Sequence, residues 1–491
     1  MTNARLGGKG MRVARYEELT GAEGRKIYYR PERHAARALY GQIAPSVLID
    51  HTEHELCDLS MTGLAVRTLG RGRDWSTDFD ANVPVRLCLG DDILFEGEAR
   101  IARIEPEPAH TKIALHLTRG FIDIARTLER HREVVAKQAL DAAKTADKLV
   151  PADYRRHAAD VLHFLRRYRE VVEKLESHRN GQTGSLHDDF FGHCEERMLE
   201  EWRPLWHAGN ALVRPILKDP DVLKATKHFT ELVLTPEFVE GPIWRQSYEK
   251  PRAYPGDFEV MNYVYSWRRE GKTTFGRLLH RLGLEVAQII AVRMVMIQRA
   301  IAVNVASIRG EDPVRIANVG CGPAQEIVNY LQQETLPHRV EFTLLDQDRD
   351  AVACAHGRVY PELARHGGRA AAHCLHTTFL QLARAGSLFR KIPPQDLIYS
   401  VGLADYLTQR RARLFIVDLF EQLAPGGLLM VGNMQATPAG ILWPIEFITD
   451  WSLTFRTPAE MLDLAAGLDN ALIEIKSDPS EQVLFLCARR Q

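Results

Sequence analysis

The sequence predicts a multidomain chain of mixed α+β and α/β class. A small N-terminal β-barrel comes first, then a central helical region, then a doubly wound sheet closed by an antiparallel hairpin. Three observations carry this reading. Short β-prone runs recur at intervals near ten residues before residue 120. Long segments with apolar residues at three/four spacing and charges between them follow. From Val314 onward strands and helices alternate, the pattern of a parallel sheet covered on both faces. With 491 residues, 45% hydrophobic and 26% charged, the chain has room for two or three domains of about 100–200 residues each.

The first 37 residues hold nine Lys/Arg against four Glu, and residues 1–24 read as a basic arm. That stretch is polar, so it does not read as a signal peptide. The formal charge of the whole chain is -1, which gives no overall field for nucleic acid or a membrane surface. Seven cysteines stand singly with no CxxC pair, which fits a reducing cytosol and no zinc or disulfide framework. The most apolar segment, 282–308, is broken by Glu285, Gln288, Arg293, Gln298 and Arg299, so it reads as a packing helix and not a membrane span. A cytoplasmic location is expected, and homo-oligomerisation stays compatible with this composition.

Residues 25–120 form the expected barrel, from VLID (47–50), GLAVRT (63–68), VPVRLCL (83–89), FEGEARIARI (95–104) and TKIALHL (111–117). Residues 121–310 form a helical linker and catalytic cap, with helices over 125–150 and 154–178, a break at NGQTGS (180–185) and further helices to 310. Residues 311–491 alternate VRIANVG, a helix from Pro323, EFTLLD, a helix from Asp348, AAHCLH, DLIYSVG, a helix from Gln409 and GLLMVGN. ALIEIKSD and QVLFLCA make the closing hairpin.

The chemistry concentrates in ANVGCGPAQEI (317–327), where a strand runs into Gly320 and Gly322 and then a helix. Glycines let the backbone approach a ligand, and the helix start offers unpaired N–H groups. The next strand ends in Asp346, 26 residues past Gly320, where an acid can accept from two ribose hydroxyls. Gln347 follows it, and Glu326 completes a GxGxxxE pattern. Gln325 stands where a dinucleotide site has its third glycine. A nicotinamide site and an S-adenosylmethionine site both remain open on these residues alone. Ligands of open α/β sheets lie beyond the strand carboxyl ends. That rule places Asp405 and Tyr406, after the fourth strand, near the reacting group, with Arg456 as a guanidinium for a carboxylate. Asp405 is the candidate base for a hydroxyl acceptor. Tyr254 and Asp257, in a turn with a helix-capping acid, form a candidate lid. In the barrel, Arg33 and Arg37 precede Asp58, Ser60 and Gly63: arginine forks for phosphate and guanine, then a carboxylate, a hydroxyl and a turn glycine. GKTTFG (271–276) lacks the first glycine of a phosphate loop, and HTEHE (51–55) lacks a third metal ligand.

The C-terminal part resembles Rossmann-like class I S-adenosylmethionine-dependent methyltransferases. In particular it is similar to the extracellular-factor 3-hydroxypalmitic acid methyl ester biosynthesis proteins. The resemblance rests on KPRAYPGDFEVMNYVY (250–265), TFGRLLHR (274–281), ANVGCGPAQEI, IYSVGLADYL (398–407), LAPGGLLMVGNM (423–434) and EFITDWSLTFRTPAEM (446–461). It implies Gly320, Gly322 and Asp346 as cofactor contacts, while Asn318 replaces the usual acid two residues before the first glycine. RHAAR (33–37) with DLSMTG (58–63) matches RxxxR…DxSxxG, and residues 25–120 resemble a PilZ receptor for cyclic di-GMP. Together the resemblances imply a cyclic di-GMP-responsive methyltransferase for a small acceptor, such as a hydroxy-fatty-acid carboxylate. The alternatives are a signalling module with a degenerate catalytic domain, or a protein methyltransferase.

Overall fold

The computed structural model describes residues 31–68, 81–106, 110–177, 186–307, 312–378 and 391–491. The basic arm (1–24) and the NGQTGS break (180–185) lie outside the described residues. The chain divides into two compact units, Met1–Thr145 and Ala146–Gln491.

The first unit begins with β1 (His34–Ala35) and α1 (Ala36–Tyr40), then β2 (Ser46–Ile49), β3 (Thr52–Ser60) and β4 (Gly63–Thr68). It continues with β5 (Val83–Leu89), β6 (Asp92–Pro106) and β7 (Thr111–Arg119), before α2 (Ile124–Leu149). The order β3-β2-β5-β6-β7-β4, with β4 returning to β3, closes a six-stranded antiparallel ring, and β1 adds to β3 outside it. Closure leaves no open edge among the six. Val47, Ile49, Leu59, Leu64, Val66 and Val85 fill the interior. The strand β3 was not among the predicted runs. Its TEHELCDLS is mostly polar, yet His54 and Leu56 are buried on the strand period, and after a register shift between Leu56 and Asp58 both Leu59 and Ser60 are buried.

The second unit starts with α3 (Ala152–Ser177), α4 (Leu186–Ile216), α5 (Pro220–Val233), α6 (Thr235–Phe238), α7 (Pro242–Glu249), α8 (Phe258–Ser266) and α9 (Thr274–Ser307). The sheet follows: β8 (Val314–Val319), α10 (Gln325–Gln333), β9 (Val340–Asp346), α11 (Arg349–Arg365), β10 (Ala370–His376), β11 (Gln395–Val401), α12 (Gln409–Phe420), β12 (Leu423–Met434), α13 (Pro458–Leu464), β13 (Ala471–Ser477) and β14 (Val483–Arg490). Strand order is β10-β9-β8-β11-β12-β14-β13. The first five are parallel, while β14 pairs antiparallel with both β12 and β13. The doubly wound sheet with its terminal hairpin is as the sequence predicts. The order in which successive strands are added reverses between β8 and β11, which sets the switch-point crevice at the carboxyl ends of those two parallel strands.

The helices are not a separate linker. One apolar core runs from Tyr154, Trp202 and Phe238 through Ile290 and Ile297 to Ile316, Tyr399 and Phe485, spanning helices and sheet alike. The long α9 passes the length and composition test for a membrane span, the one described helix that does, but 39% of its apolar window is buried inside the protein. It packs on α4, α7, α8 and the strands β8 and β11. The connection after β12 is fixed to this helical layer. Asn210 donates to Gly440 O at 2.5 Å and accepts from Trp443 N at 2.9 Å. The Trp443 ring N–H donates to the Tyr154 hydroxyl at 3.0 Å.

Candidate functional site

A cavity of ≈ 340 Å³ opens at the switch point, within the size range of ligand pockets. Its floor is the turn after β8. Gly320 and Gly322 have φ of 76° and 47°, the left-handed region that favours glycine. Gly320 N donates to Leu345 O at 2.8 Å, which ties the turn to the end of β9. A Cβ on Gly322 would meet no protein atom within 4 Å, so the backbone here faces open space in the cavity. The helix α10 starts at Gln325, two residues after the expected Pro323, because Ala324 adopts a left-handed φ of 50° first.

Asp346 closes one side. Its carboxylate accepts from Gly322 N at 2.9 Å and Asp348 N at 2.9 Å. Two donors leave carboxylate lone pairs over, and the side chain lines the cavity together with Gln347. Burial holds its pKa above the ordinary 3.8, against those backbone bonds. Glu326 lines the same space and is 6% exposed. Its Oε1 accepts from the Asn318 side-chain amide at 2.6 Å and from the Tyr399 hydroxyl at 2.9 Å. Burial raises its pKa too, with those partners and Arg293 opposing.

The opposite wall follows β11. Asp405 is 2% exposed and accepts from Met434 N at 2.7 Å. Burial pushes its pKa from 3.8 up to about 6, although the Met434 bond, Arg293 and Arg456 pull the other way. Tyr406 lines the cavity beside it. Its hydroxyl donates to Pro255 O at 3.0 Å and accepts from the Trp451 ring N–H at 2.8 Å. The segment 250–257 thereby lies over the cavity. Tyr254 lines the cavity and donates to Asp348 at 3.2 Å, and Arg252 pairs with Asp350 at 2.7 Å.

Two expected site residues stand elsewhere. Arg456 is 2% exposed but does not line the cavity. Its guanidinium donates to Gln409 at 2.9 Å, Ala404 O at 2.9 Å, Leu407 O at 2.6 Å and the Asn433 side-chain carbonyl. It clamps the turn after β11, because four acceptors there take its donors. Asp257 is likewise an N-cap. One oxygen accepts from Glu259 N and Val260 N, both at 3.0 Å, and the other from Gln246 at 2.8 Å. The cation that does enter the cavity is Arg293 of α9, 9% exposed, with Arg411 also in the lining. A charge inside an otherwise apolar segment was its sequence signal.

In the barrel, Arg33 and Asp58 meet at 2.5 Å, with Lys112 on the same carboxylate at 3.3 Å. Ser60 is buried and donates to Gly63 O at 3.3 Å. Arg37 is exposed on α1. Gly63 serves strand packing, since a Cβ there would lie 2.4 Å from Leu115 O.

No family model matches this chain, and no curated protein matches it. Among solved structures it is similar to a possible exported protein of Bordetella parapertussis, at 16% identity over 60% of this chain and 96% of that one, TM-score 0.37. It is also similar to the methyltransferase domain of the citrinin polyketide synthase, at 15% identity over 66% of this chain and 78% of that one, TM-score 0.36. Magnesium protoporphyrin IX methyltransferase of Synechocystis PCC 6803, solved with S-adenosylhomocysteine, shows 14% identity over 50% of this chain and 98% of that one, TM-score 0.34. All three likenesses are partial and distant.

Proposed function

We propose that the second unit is an S-adenosylmethionine-dependent methyltransferase for a small, hydroxy-fatty-acid-like acceptor, and that the barrel binds cyclic di-GMP as its regulator. The observation that carries the enzyme reading is one cavity at the switch point, with the glycine turn and Asp346 on one wall and Asp405 and Tyr406 on the other. The residues present fit the cofactor: Asp346 retains acceptor capacity for ribose hydroxyls, and Gly322 leaves room for a close approach. When bound, the cofactor supplies an activated methyl group on a sulfonium.

The protein's own part is positioning and water exclusion. Phe258, Met294, Ile297, Ile441 and Leu453 give the cavity apolar walls suited to an aliphatic acceptor. Arg411 is the cation for an acceptor carboxylate, in the role expected of Arg456. A carboxylate acceptor is already nucleophilic and no proton moves. For a hydroxyl acceptor, Asp405 takes the proton. Calorimetric titration with S-adenosylhomocysteine tests the cofactor half of this reading, and transfer of a labelled methyl to long-chain hydroxy acids tests the acceptor. Absence of cofactor binding by the full chain overturns it.

Support for the nucleotide reading is the Arg33–Asp58 pair beside Ser60 in a closed six-stranded barrel. A guanine that bonds Asp58 competes with Arg33 for it and frees the guanidinium for phosphate. Equilibrium dialysis with cyclic di-GMP is the direct check.

A further inference from the structure

We propose that a second, apolar cavity beside the first receives the far end of an unbranched aliphatic tail, and so sets the length of acceptor that the site takes. This rests on the methyltransferase reading and gives the helices and the connection after β12 a part in choosing the acceptor.

The first observation is where the second cavity lies. It measures ≈ 30 Å³, and Ile290, Ile441 and Trp451 line both it and the larger cavity. The Trp451 ring N–H donates to the Tyr406 hydroxyl at 2.8 Å. The shared boundary therefore stands on the Tyr406 side of the site, where the acceptor is placed.

The second observation is how the pocket is built. Gly283, Ala287 and Ile290 fall at helical spacing on one face of α9. Ile290 stands at the shared boundary, and Gly283 comes two turns earlier, about 10 Å along the axis. Gly283 marks the closed end. A Cβ there would stand 2.3 Å from Ile243 Cγ2 and 3.0 Å from the Trp244 ring nitrogen, so α7 and α9 touch where the pocket stops. Ile441, Ile445 and Thr449 are spaced by four across a π-helical turn, Pro444–Ile448, and complete the lining. Such turns are frequent at functional sites.

The third observation is the chemistry of the walls. The Trp244 ring N–H donates to Leu279 O at 2.8 Å, and the Thr449 hydroxyl to Ile445 O at 2.6 Å. Trp451 is bonded to Tyr406, which leaves Ser247 as the remaining polar side chain of the lining. A buried water takes about two to four polar partners, whereas an apolar cavity stays dry and accepts an apolar guest. The volume holds about two or three water-sized groups. That suits the last carbons of a slender chain and not an aromatic ring.

The test titrates the full chain in calorimetry with unbranched saturated fatty acids, lengthened one carbon at a time and kept below micelle-forming concentrations. Affinity should rise about fourfold per added carbon until the tail fills the second cavity, then level off. Ala287→Leu fills that cavity and should bring the limit about two carbons earlier, a loss of roughly 10–20-fold for the longest acid with shorter acids unaffected. Ile445→Ala enlarges it and should move the limit to longer acids. An ω-phenyl acid of equal length should bind the wild type more weakly than the unbranched acid. Both variants should melt cooperatively and hold S-adenosylhomocysteine within about twofold of the wild type, which shows that they are folded. If Ala287→Leu does not fold, Ile445→Ala and the ω-phenyl acid decide. A length limit that neither variant moves, an equal loss at every length in Ala287→Leu, an ω-phenyl acid bound as tightly as the unbranched one, or a wild type that binds no acid overturns the tail pocket. A wild type that binds S-adenosylhomocysteine without any dependence on acid length loses the pocket and keeps the methyltransferase reading. One that shows the length limit and binds no S-adenosylhomocysteine keeps the pocket and loses that reading.

Discussion

At the scale of single residues, burial decides what the two cavity aspartates do. Asp346 is fixed by two backbone donors and keeps spare acceptor capacity. Asp346→Ala should weaken S-adenosylhomocysteine by about 1–3 kcal/mol, the scale for losing a charged hydrogen bond, in a variant whose far-ultraviolet spectrum is unchanged. Calorimetry reads this directly. Asp405 is different because its pKa rises from 3.8 to about 6. As a base for a hydroxyl acceptor it must be ionised, so kcat/KM should rise as pH passes 6. For a carboxylate acceptor the ionised form repels the substrate, so kcat/KM should fall over the same interval. A pH–rate profile with each acceptor class separates the two chemistries. Stability gives an independent check. A raised carboxylate pKa contributes stability that is fully present below about 3.8 and is lost as pH rises through about 6. The displacement corresponds to about 3 kcal/mol. Asp405→Asn should therefore unfold at higher denaturant than the wild type at pH 8, and the gap should close below pH 4. An equal gap at both values sinks the assignment. Glu326 and Asp346 were legible in the sequence because a glycine turn and a strand end mark them. Arg293 showed only as a charge inside an apolar segment, since its position in the cavity depends on where α9 crosses β8 and β11.

Elements add constraints that no residue shows alone. The segment 250–257 was expected to be a lid, and it is held at both ends. Tyr254 and Arg252 bond Asp348 and Asp350 at the start of α11, while Tyr406 bonds Pro255 O. Gly256, with φ of 67°, lies against Trp451, and a Cβ there would stand 2.1 Å from the indole. Substitution Gly256→Ala is thus strained twice, by backbone and by ring. It should lift the segment off the cavity, lower turnover and increase exchange of the 250–257 amides, with only a small change in melting temperature. Hydrogen exchange by mass spectrometry measures this, and unchanged protection argues that the segment is a fixed wall. Residue pattern showed the turn and the cap, because Pro, Gly and Asp have local meanings. Pattern could not show Arg456 in its actual role. A guanidinium with four protein acceptors and one facing a substrate read the same in sequence. Strand β3 was missed for a related reason: inside a closed ring a buried histidine and serine serve as core, which a polar run conceals.

Across the whole molecule, two compact units share one chain, and the switch-point cavity draws on more than the sheet that the sequence marks out. Alternating strands and helices made residues 311–491 legible as a fold of their own. Yet Tyr254, Phe258, Arg293 and Ile297 come from before residue 311, since the apolar faces of α8 and α9 bury against the sheet. The regulatory reading belongs to this scale. If cyclic di-GMP bound to the barrel changes the affinity of the second unit for its cofactor or acceptor, linkage requires those ligands to change nucleotide affinity by the same factor. A coupling of about 1–3 kcal/mol, or roughly 5–150-fold, is the usual range. Calorimetric titration of cyclic di-GMP into the full chain, with and without S-adenosylhomocysteine, should give two different affinities. The reverse titration should give the same ratio. The double variant Arg33→Ala/Arg37→Ala separates regulation from catalysis, because it removes the phosphate forks from a unit that holds none of the switch-point cavity. It should abolish nucleotide binding, leave S-adenosylhomocysteine affinity without nucleotide unchanged, and erase the ratio. Equal affinities in all four titrations of the wild type, with turnover indifferent to the nucleotide, would mean that the barrel serves location or assembly and not control.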